Sequence, residues 1–436
     1  MLQIVATQDL KLGMFISELD RPWLDSPFLL QGFLLEEDEQ IETLRNLCRF
    51  VTVDRSRSIG DEYQATPASA VAPSFKEKQP SLANNIVFYR TKKKLSLPTL
   101  ETAEERELIG KRYTKIIYTD DIPIEDALPD ARIAYKNTQI LLEDLGAQIS
   151  AGNIPEAQKV DETVSSMVEC VVRNPDALLW LAKLKRTDNE TYNHSLNAAI
   201  HLMAFGRHIN LPPDELHTLG MGGLLKDMGF IQLPREIVLK PGGLTPPERA
   251  VMRNHVQMSL DLLSHQAPLA YDVREIILRH HERLDGSGYP AHLRGAELGL
   301  YAEMAGLTDS YCAMSYPRSF RPARGHQWII DEINNMRDRF FSAPVIDEFI
   351  QFVGFYPVGT LVELNSGEVG AVYEQNRVRR LKPRIMILLG PDKTHNTAYG
   401  ILNLLSDPLI KEGTPYRITR VLPPGSYGLD PKEFYL

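Results

Sequence analysis

Apolar residues change their spacing twice in this sequence, and the changes divide it into three regions. From residue 1 to about 57, short alternating runs flank a brief helical pattern, which predicts a small α/β domain. From about 100 to 350, apolar positions recur at helical spacing almost throughout, as they do from Val160 to Val171. From 354 onward alternation returns around Asn365-Ser366-Gly367, a turn signal, which predicts a small β-rich C-terminal region.

Helix breakers add boundaries within this outline. Asn174 and Pro175 stop one helical pattern, and Asp176 is expected to cap the next helix. Further helices are expected at 190–208, 214–228, 246–265, 271–283, 300–315 and 328–353. Proline, serine, alanine and glutamine dominate after residue 58, which is typical of a mobile linker. The expected segments are an N-terminal domain at 1–57, a linker at 58–99, a helical connector at 100–184, a helical domain at 185–353 and a β-rich region at 354–436.

Composition excludes several classes of protein. The chain has 436 residues, which suits two or three domains, and it contains no apolar run long enough for a membrane helix. Its N-terminus lacks the features of a secretory signal, and its three cysteines lie far apart, which together favour a reducing cytoplasm. A net charge of −9 disfavours a broad surface for a nucleic-acid polymer.

Histidine is the residue whose distribution points to chemistry. Of 11 histidines, nine fall within one stretch of about a hundred residues. Four of the nine have the surroundings of metal ligands, namely His194, His255, His280 and His281. The other five are expected to be packing or surface residues: His201, His208, His217, His265 and His292. For His201 and His208 the reason is that no carboxylate partner accompanies them in the sequence.

Acidic residues accompany these histidines on predicted helices. Glu190 and His194 share a helix face, and Asp227 and Asp309 follow or interrupt apolar helical runs, where a buried acid needs a cation. Taken singly, each has an ordinary interpretation, such as Asp227 pairing with neighbouring Lys226. Taken together, they predict a mixed site for Fe, Mn, Co, Ni or Zn. Two such ions hydrolyse phosphoesters by generating hydroxide and stabilising the developing charge.

A glycine-rich loop follows the adjacent histidines. Residues Asp285–Pro290 read Asp-Gly-Ser-Gly-Tyr-Pro, a tight loop that exposes backbone amides. Such amides can hold a phosphate or a partner surface.

These motifs resemble those of the HD-GYP domain, the all-helical branch of the HD phosphohydrolase superfamily that hydrolyses cyclic di-GMP. The likeness covers about 185 to 353, and residues 1 to about 57 resemble the small N-terminal domain of unknown function found before many bacterial HD-GYP domains. It rests on Tyr192-Asn193-His194-Ser195, Lys240-Pro241-Gly242 with Leu244-Thr245, His280-His281-Glu282-Arg283 and Asp285–Pro290. It implies a mainly α fold, with a helical HD-type domain between an α/β N-terminal domain and a β-rich C-terminal region.

The resemblance also implies roles for individual residues. Asp227 would bridge two divalent transition metals, Fe or Mn, and act in catalysis with Lys226. The implied metal ligands are Glu190, His194, Asp227, His255, His280, His281 and Asp309. The implied substrate contacts are Arg318, Arg321 and Lys240, and Gly288, Tyr289 and Pro290 form the GYP loop. The implied partners are cyclic di-GMP and, through that loop, a diguanylate cyclase or other signalling proteins, in a chain that can form oligomers.

The sequence departs from the family pattern at three positions. Lys226 replaces the histidine of the His-Asp pair, Phe230 replaces a lysine, and Cys312 stands where many members have a second aspartate. Lys226 leaves three alternatives open: one metal position has lost a ligand, a neutral amine coordinates, or its ammonium partly replaces a metal or the missing lysine. We therefore expect metal-dependent hydrolysis of cyclic di-GMP to linear pGpG or GMP. The alternative is a degenerate domain that binds the nucleotide or a partner without turnover.

Overall fold

Residue contacts divide the chain into two compact units in a computed structural model. One unit combines Met1–Gln79 with Val353–Val421, and the other contains Pro80–Phe352 with Leu422–Leu436. The structure describes residues 2–19, 33–55, 57–59, 116, 118–120, 122–153, 157–184, 190–238, 240, 242–264, 269–317, 323–410 and 413–429. Apart from residues 58 and 59, the predicted linker lies outside these residues.

The N-terminal part of the first unit is a four-stranded antiparallel sheet with one helix. Its strands are ordered β1-β4-β2-β3, and Ile41 and Leu44 of the helix join the strands in a common core. The elements are β1 (Leu2–Ala6), β2 (Phe15–Leu19), β3 (Phe33–Leu34), α1 (Asp38–Leu47) and β4 (Phe50–Asp54). This confirms the small α/β domain, although the two residues of β3 are too short to give an alternating pattern.

The C-terminal part of this unit is a five-stranded antiparallel sheet. Its strand order is β8-β7-β6-β5-β9, and Gly367, with φ of 89°, turns the chain between β5 and β6. The strands are β5 (Leu361–Leu364), β6 (Val369–Glu374), β7 (Arg384–Leu389), β8 (His395–Asn403) and β9 (Ile418–Val421). Arg379 Nε lies 2.9 Å from Glu36 Oε1, an ion pair between residues from the two ends of the chain.

The second unit is helical. Ala157–Arg173 buries Val164, Met167 and Val171, as the spacing of its apolar residues predicts. The helices are α2 (Ile124–Ser150), α3 (Ala157–Arg173), α4 (Pro175–Leu184), α5 (Glu190–His208), α6 (Pro213–Leu225), α7 (Arg235–Val238), α8 (Pro246–Arg253), α9 (His255–Ser264), α10 (Tyr271–Arg279), α11 (Leu300–Ser315), α12 (His326–Asn335) and α13 (Ala343–Val353). Across the described residues, no helix combines the length and apolarity needed to cross a bilayer.

Small residues let α6 lie deep among its neighbours. A Cβ atom at Gly223 would come within 2.9 Å of Ala199 Cα on α5, and one at Gly222 within 2.5 Å of Ile276 on α10. These glycines permit close backbone approach on two sides of α6. The end of α6, where Lys226 and Asp227 stand, is thereby held inside the helical unit.

Some helix boundaries differ from the sequence predictions. The residue that caps α4 is Asn174, whose Oδ1 accepts from the Asp176 backbone N–H at 3.0 Å, whereas Asp176 was expected to be the cap. Pro175 starts the helix because it needs no amide hydrogen there. The stretches expected as single helices at 246–265 and 328–353 are each two helices.

Candidate metal centre

The turn after α6 places two charged side chains at the centre of the helical unit. The Lys226 backbone N–H donates to Gly222 O at 3.0 Å, while Ser259 Oγ donates to Lys226 O at 2.9 Å and accepts from Gly229 N at 2.8 Å. Ser259 belongs to α9, so a second helix fixes the turn. Both Lys226 and Asp227 are buried.

Four side chains from three segments converge beside this turn. We call Asp227, His255, His280 and His281 the four-ligand group, because their candidate ligand atoms lie within 4.8 Å of one another. His255 begins α9, and His280 and His281 follow α10. Three imidazoles and one carboxylate form a donor set that suits a divalent transition metal.

Hydrogen bonds orient two of these imidazoles. His255 Nδ1 donates to Met252 O and His280 Nδ1 donates to Ile277 O, each at 2.8 Å. Because each Nδ1 faces a carbonyl acceptor, it carries the proton, and the lone pair lies on Nε2. Both Nε2 atoms are 3.6 Å from Asp227 Oδ1, and neither has a hydrogen-bond partner within the described part of the chain. The geometry therefore presents two buried lone pairs beside one carboxylate, as a metal site requires.

Burial also keeps imidazoles of this group neutral. It lowers the pKa of His255 to about 4, although the Asp227 carboxylate opposes the shift. It lowers the pKa of His281 well below its usual value. At neutral pH both rings are unprotonated and can donate a lone pair to a metal.

A second group of candidate ligands shares Asp227. We call His194, Asp227 and Asp309 the three-ligand group. Lys226 Nζ donates to Asp227 Oδ2 and to Asp309 Oδ1. His194 Nε2 lies 2.8 Å from the same Asp309 oxygen. One polar atom of each residue in this group, namely His194 Nε2, Asp227 Oδ2 and Asp309 Oδ1, is thus already paired within the protein.

The buried ion pairs shift the pKa values of their members. Burial lowers the pKa of Lys226, but the two carboxylates outweigh it, and that pKa lies above its usual value. Burial raises the pKa values of Asp227 and Asp309, but Lys226 outweighs it in both, and they lie well below the usual range. All three groups are charged at neutral pH.

The other residues singled out from the sequence lie elsewhere. Glu190 starts α5 and belongs to neither ligand group. Lys240 Nζ contacts both carboxylate oxygens of Glu248 at 2.6 and 2.7 Å. Arg318 and Arg321 lie outside the described residues.

The remaining histidines are not part of either group in the described structure. His201 is buried, and its Nδ1 lies 2.8 Å from Asn197 O. His208 Nε2 lies 3.4 Å from Glu348 Oε2, a carboxylate partner that the sequence did not suggest because it comes from α13.

Aromatic rings cover the four-ligand group on two sides. Phe230 stacks on His255 with ring centroids 4.0 Å apart and an angle of 10° between the rings. Tyr289 of the GYP loop stacks on His281 with centroids 4.6 Å apart and an angle of 19°. The sequence marked Phe230 only as a departure from a family pattern. Its packing on a candidate ligand depends on the fold of the turn after α6.

Glu282 connects the adjacent histidines to the segment after the GYP loop. Its Oε1 accepts from Ala291 N at 2.5 Å and His292 N at 3.0 Å, and its Oε2 accepts from Leu293 N at 3.0 Å. The carboxylate is buried, so it replaces water for three backbone amides. Sequence reasoning overlooked this role, although an acidic residue directly before a glycine-rich loop could have suggested it.

We expect Glu282→Gln to lower the free energy of unfolding by about 1.5–3 kcal/mol, because an amide cannot accept from all three N–H groups. Hydrogen exchange at the amides of Ala291, His292 and Leu293 should accelerate. The matched control is Glu297→Gln, since Glu297 is an exposed residue that accepts from Arg294 N at 3.1 Å in the same loop region. Equal effects of the two substitutions on unfolding and exchange would contradict this assignment.

Gly288 provides a second test of the loop's packing. A Cβ atom there would lie 2.4 Å from both Arg283 N and Glu282 Cα, which are backbone atoms. Gly288→Ala should therefore reduce the free energy of unfolding by about 1–3 kcal/mol. Gly243→Ala is the control, because a Cβ atom at Gly243 meets nothing within 4 Å. Urea unfolding of both variants measures the difference, and an unaffected Gly288→Ala would refute the close approach.

Two family models match this chain. The HD domain family matches residues 181–343, and a domain of unknown function, DUF3391, matches residues 2–160. A cyclic di-GMP phosphodiesterase of Pseudomonas aeruginosa is 29% identical over 390 residues, which cover 89% of this chain and 85% of that protein. Residues 181–343 thus match an HD domain, in a chain that is similar to a cyclic di-GMP phosphodiesterase over most of its length.

Two further relatives match less than half of this chain. A cyclic di-GMP phosphodiesterase of Thermotoga maritima is 34% identical over 165 residues, covering 38% of this chain and 45% of the relative. A probable cyclic di-GMP phosphodiesterase of Vibrio cholerae is 33% identical over 195 residues, covering 41% and 44%. A solved HDG"Y"P protein from Bdellovibrio bacteriovorus aligns over 80% of this chain and 98% of its own, with 14% identity and a TM-score of 0.44.

Proposed function

We propose that the helical unit is a metal-dependent phosphodiesterase that hydrolyses cyclic di-GMP. The observation that supports this most directly is the pair of buried, unpartnered Nε2 atoms of His255 and His280, each 3.6 Å from Asp227 Oδ1. The names of the relatives supply the substrate. The products would be linear pGpG, GMP or both.

The chain's own residues would hold the metal and position the substrate. Asp227, His255, His280 and His281 would bind Fe or Mn, for which imidazole and carboxylate ligands are suitable. A metal there would supply a Lewis acid for a phosphoryl oxygen and an activated water.

Basic residues would complete the substrate site. Arg318 and Arg321 are proposed phosphate contacts because a guanidinium group matches phosphate geometry. Lys240 is proposed for the same purpose and would exchange its contact with Glu248 for one with the nucleotide. If a second ion binds, its proposed ligands are Glu190, His194 and Asp309 beside Asp227.

The GYP loop is the proposed contact for a signalling partner such as a diguanylate cyclase. Tyr289 packs against His281, while Pro290 and Ser287 are exposed. The loop thus presents an outer face and contacts the four-ligand group with its inner face, so a partner bound there could influence the site.

A second candidate function is binding of cyclic di-GMP without turnover. The observation that favours it is the position of Lys226, whose ammonium lies between Asp227 and Asp309. Phe230 also removes a cation that would offset phosphate charge.

The two candidates differ in a direct assay. Full-length protein is stripped of metal, reloaded with Mn²⁺ or Fe²⁺, and mixed with cyclic di-GMP, and pGpG and GMP are then measured by chromatography. The control variant is His217→Ala, at the partly exposed histidine of α6. The phosphodiesterase proposal is supported if hydrolysis disappears in His281→Ala but persists in His217→Ala. Calorimetric binding without any product under either metal supports the second candidate instead.

A further inference from the structure

The two ligand groups differ in whether their polar atoms are already paired. In the four-ligand group, His255 Nε2 and His280 Nε2 have no hydrogen-bond partner among the residues described. In the three-ligand group, Asp309 Oδ1 contacts both Lys226 Nζ and His194 Nε2. Among the described residues of the two groups, only the first has fully buried ring nitrogens without a hydrogen-bond partner.

Lys226 is held firmly where it separates the two carboxylates. Its side chain is 1% exposed, and both its backbone N–H and its carbonyl are hydrogen bonded. Gly222 and Gly223 seat the preceding turn against α10 and α5, which leaves this backbone little freedom to withdraw. The ammonium is therefore a fixed part of the site.

A fixed ammonium disfavours a second divalent ion in the same place. It donates to one oxygen of each carboxylate in the three-ligand group, Asp227 Oδ2 and Asp309 Oδ1. Like charges repel strongly where water is excluded. Displacing the ammonium would also leave a buried charge without a partner.

We propose that this chain binds one divalent metal, at Asp227, His255, His280 and His281, and that the Lys226 ammonium occupies the place of a second metal ion between Asp227 and Asp309. This inference rests on the proposed function in one respect, namely that the four-ligand group is a metal site. His194 and Asp309 are then positioning residues for Lys226 rather than metal ligands.

The first test counts metal ions. Full-length protein reloaded with Mn²⁺ is measured by inductively coupled plasma mass spectrometry and electron paramagnetic resonance. The wild type should hold about one Mn²⁺ per chain, with the spectrum of an isolated ion, as one complete ligand set predicts. Two ions per chain with an exchange-coupled spectrum, or none at all, would overturn the proposal.

Substitutions test which side chain excludes the second ion. Lys226→His should raise the content to about two ions and produce exchange coupling, because an imidazole adds a ligand and removes a cation. Lys183→His is the matched control, since Lys183 lies on α4 outside both groups, and it should stay at one ion. A folded Lys226→His protein that still holds one ion would contradict the exclusion by Lys226.

If Lys226→His does not fold, a third variant tests whether the three-ligand group holds a metal ion. His194→Gln should keep one ion per chain, because His194 is not a ligand of the bound metal. A fall in metal content in His194→Gln would overturn the proposal. Hydrolysis of cyclic di-GMP is measured separately. One ion per chain without hydrolysis would support this inference and contradict the proposed function. Two ions per chain with hydrolysis would support the proposed function and contradict this inference.

Discussion

Asp227→Asn is expected to abolish tight metal binding and to lower the rate of cyclic di-GMP hydrolysis by at least about 10³-fold. Asp227 belongs to both ligand groups, with Oδ1 facing two histidine Nε2 atoms and Oδ2 accepting from Lys226. Asparagine preserves the shape but removes the negative charge that attracts a cation. Metal content per chain and the single-turnover rate measure the two effects.

The matched control for this substitution is Asp261→Asn. Asp261 is an exposed residue of α9 that accepts from Gln257, so the same chemical change occurs on a helix that also supplies a candidate ligand. Metal content and rate should be unchanged. If Asp227→Asn retained both near the wild-type level, the four-ligand group would not be the metal site.

Lys226→Met should lower the free energy of unfolding of the metal-free protein by about 3–5 kcal/mol at neutral pH. Methionine has a similar length but no charge, so Asp227 and Asp309 would stay buried without their cation. Urea unfolding followed by circular dichroism gives the difference. Lys240→Met is the control, since Lys240 and Glu248 form a partly exposed pair whose loss should change the free energy of unfolding far less.

The difference between Lys226→Met and the wild type should shrink in acid. Because the pKa values of Asp227 and Asp309 are lowered in the folded wild type, their stabilising contribution is present above the usual carboxylate pKa and is lost as pH falls through the lower folded values. In the variant the unpaired carboxylates protonate more readily. The gap should therefore narrow below about pH 4, and a constant gap would contradict the ion-pair account.

Helical periodicity predicted much of the fold around the site. The helices 190–208 and 300–315 were predicted with the bounds that the structure gives. Their apolar residues recur every three or four positions, so the buried face could be deduced without knowing what packs against it. Because His194 and Asp309 lie on these two helices, the sequence also predicted which helix carries each of them.

Other boundaries were missed for two different reasons. The break between α8 and α9 falls at Asn254, where there is neither glycine nor proline, so tertiary packing determined where each helix ended. The break between α12 and α13 spans residues 336–342, and Pro344 in the first turn of α13 is a helix-start signal that sequence reasoning overlooked.

The charge state and contacts of Lys226 also lay beyond sequence reasoning. The sequence left open a lost ligand, a neutral amine or a substituting ammonium. The contact between Lys226 and Asp309 joins residues 83 positions apart, and no local pattern specifies such a pairing. The fold brings them together and supplies the negative surroundings that keep the amine charged.

The ion pair between Glu36 and Arg379 has a consequence for synthesis of the chain. Glu36 leaves the ribosome with the first sheet, whereas Arg379 emerges only after residues 80–352 of the helical unit have been translated. At roughly 5–20 residues per second, a gap of roughly 340 residues corresponds to about 17–70 seconds. During that interval the nascent N-terminal sheet depends on its own hydrophobic core, and the Glu36 carboxylate stays without Arg379.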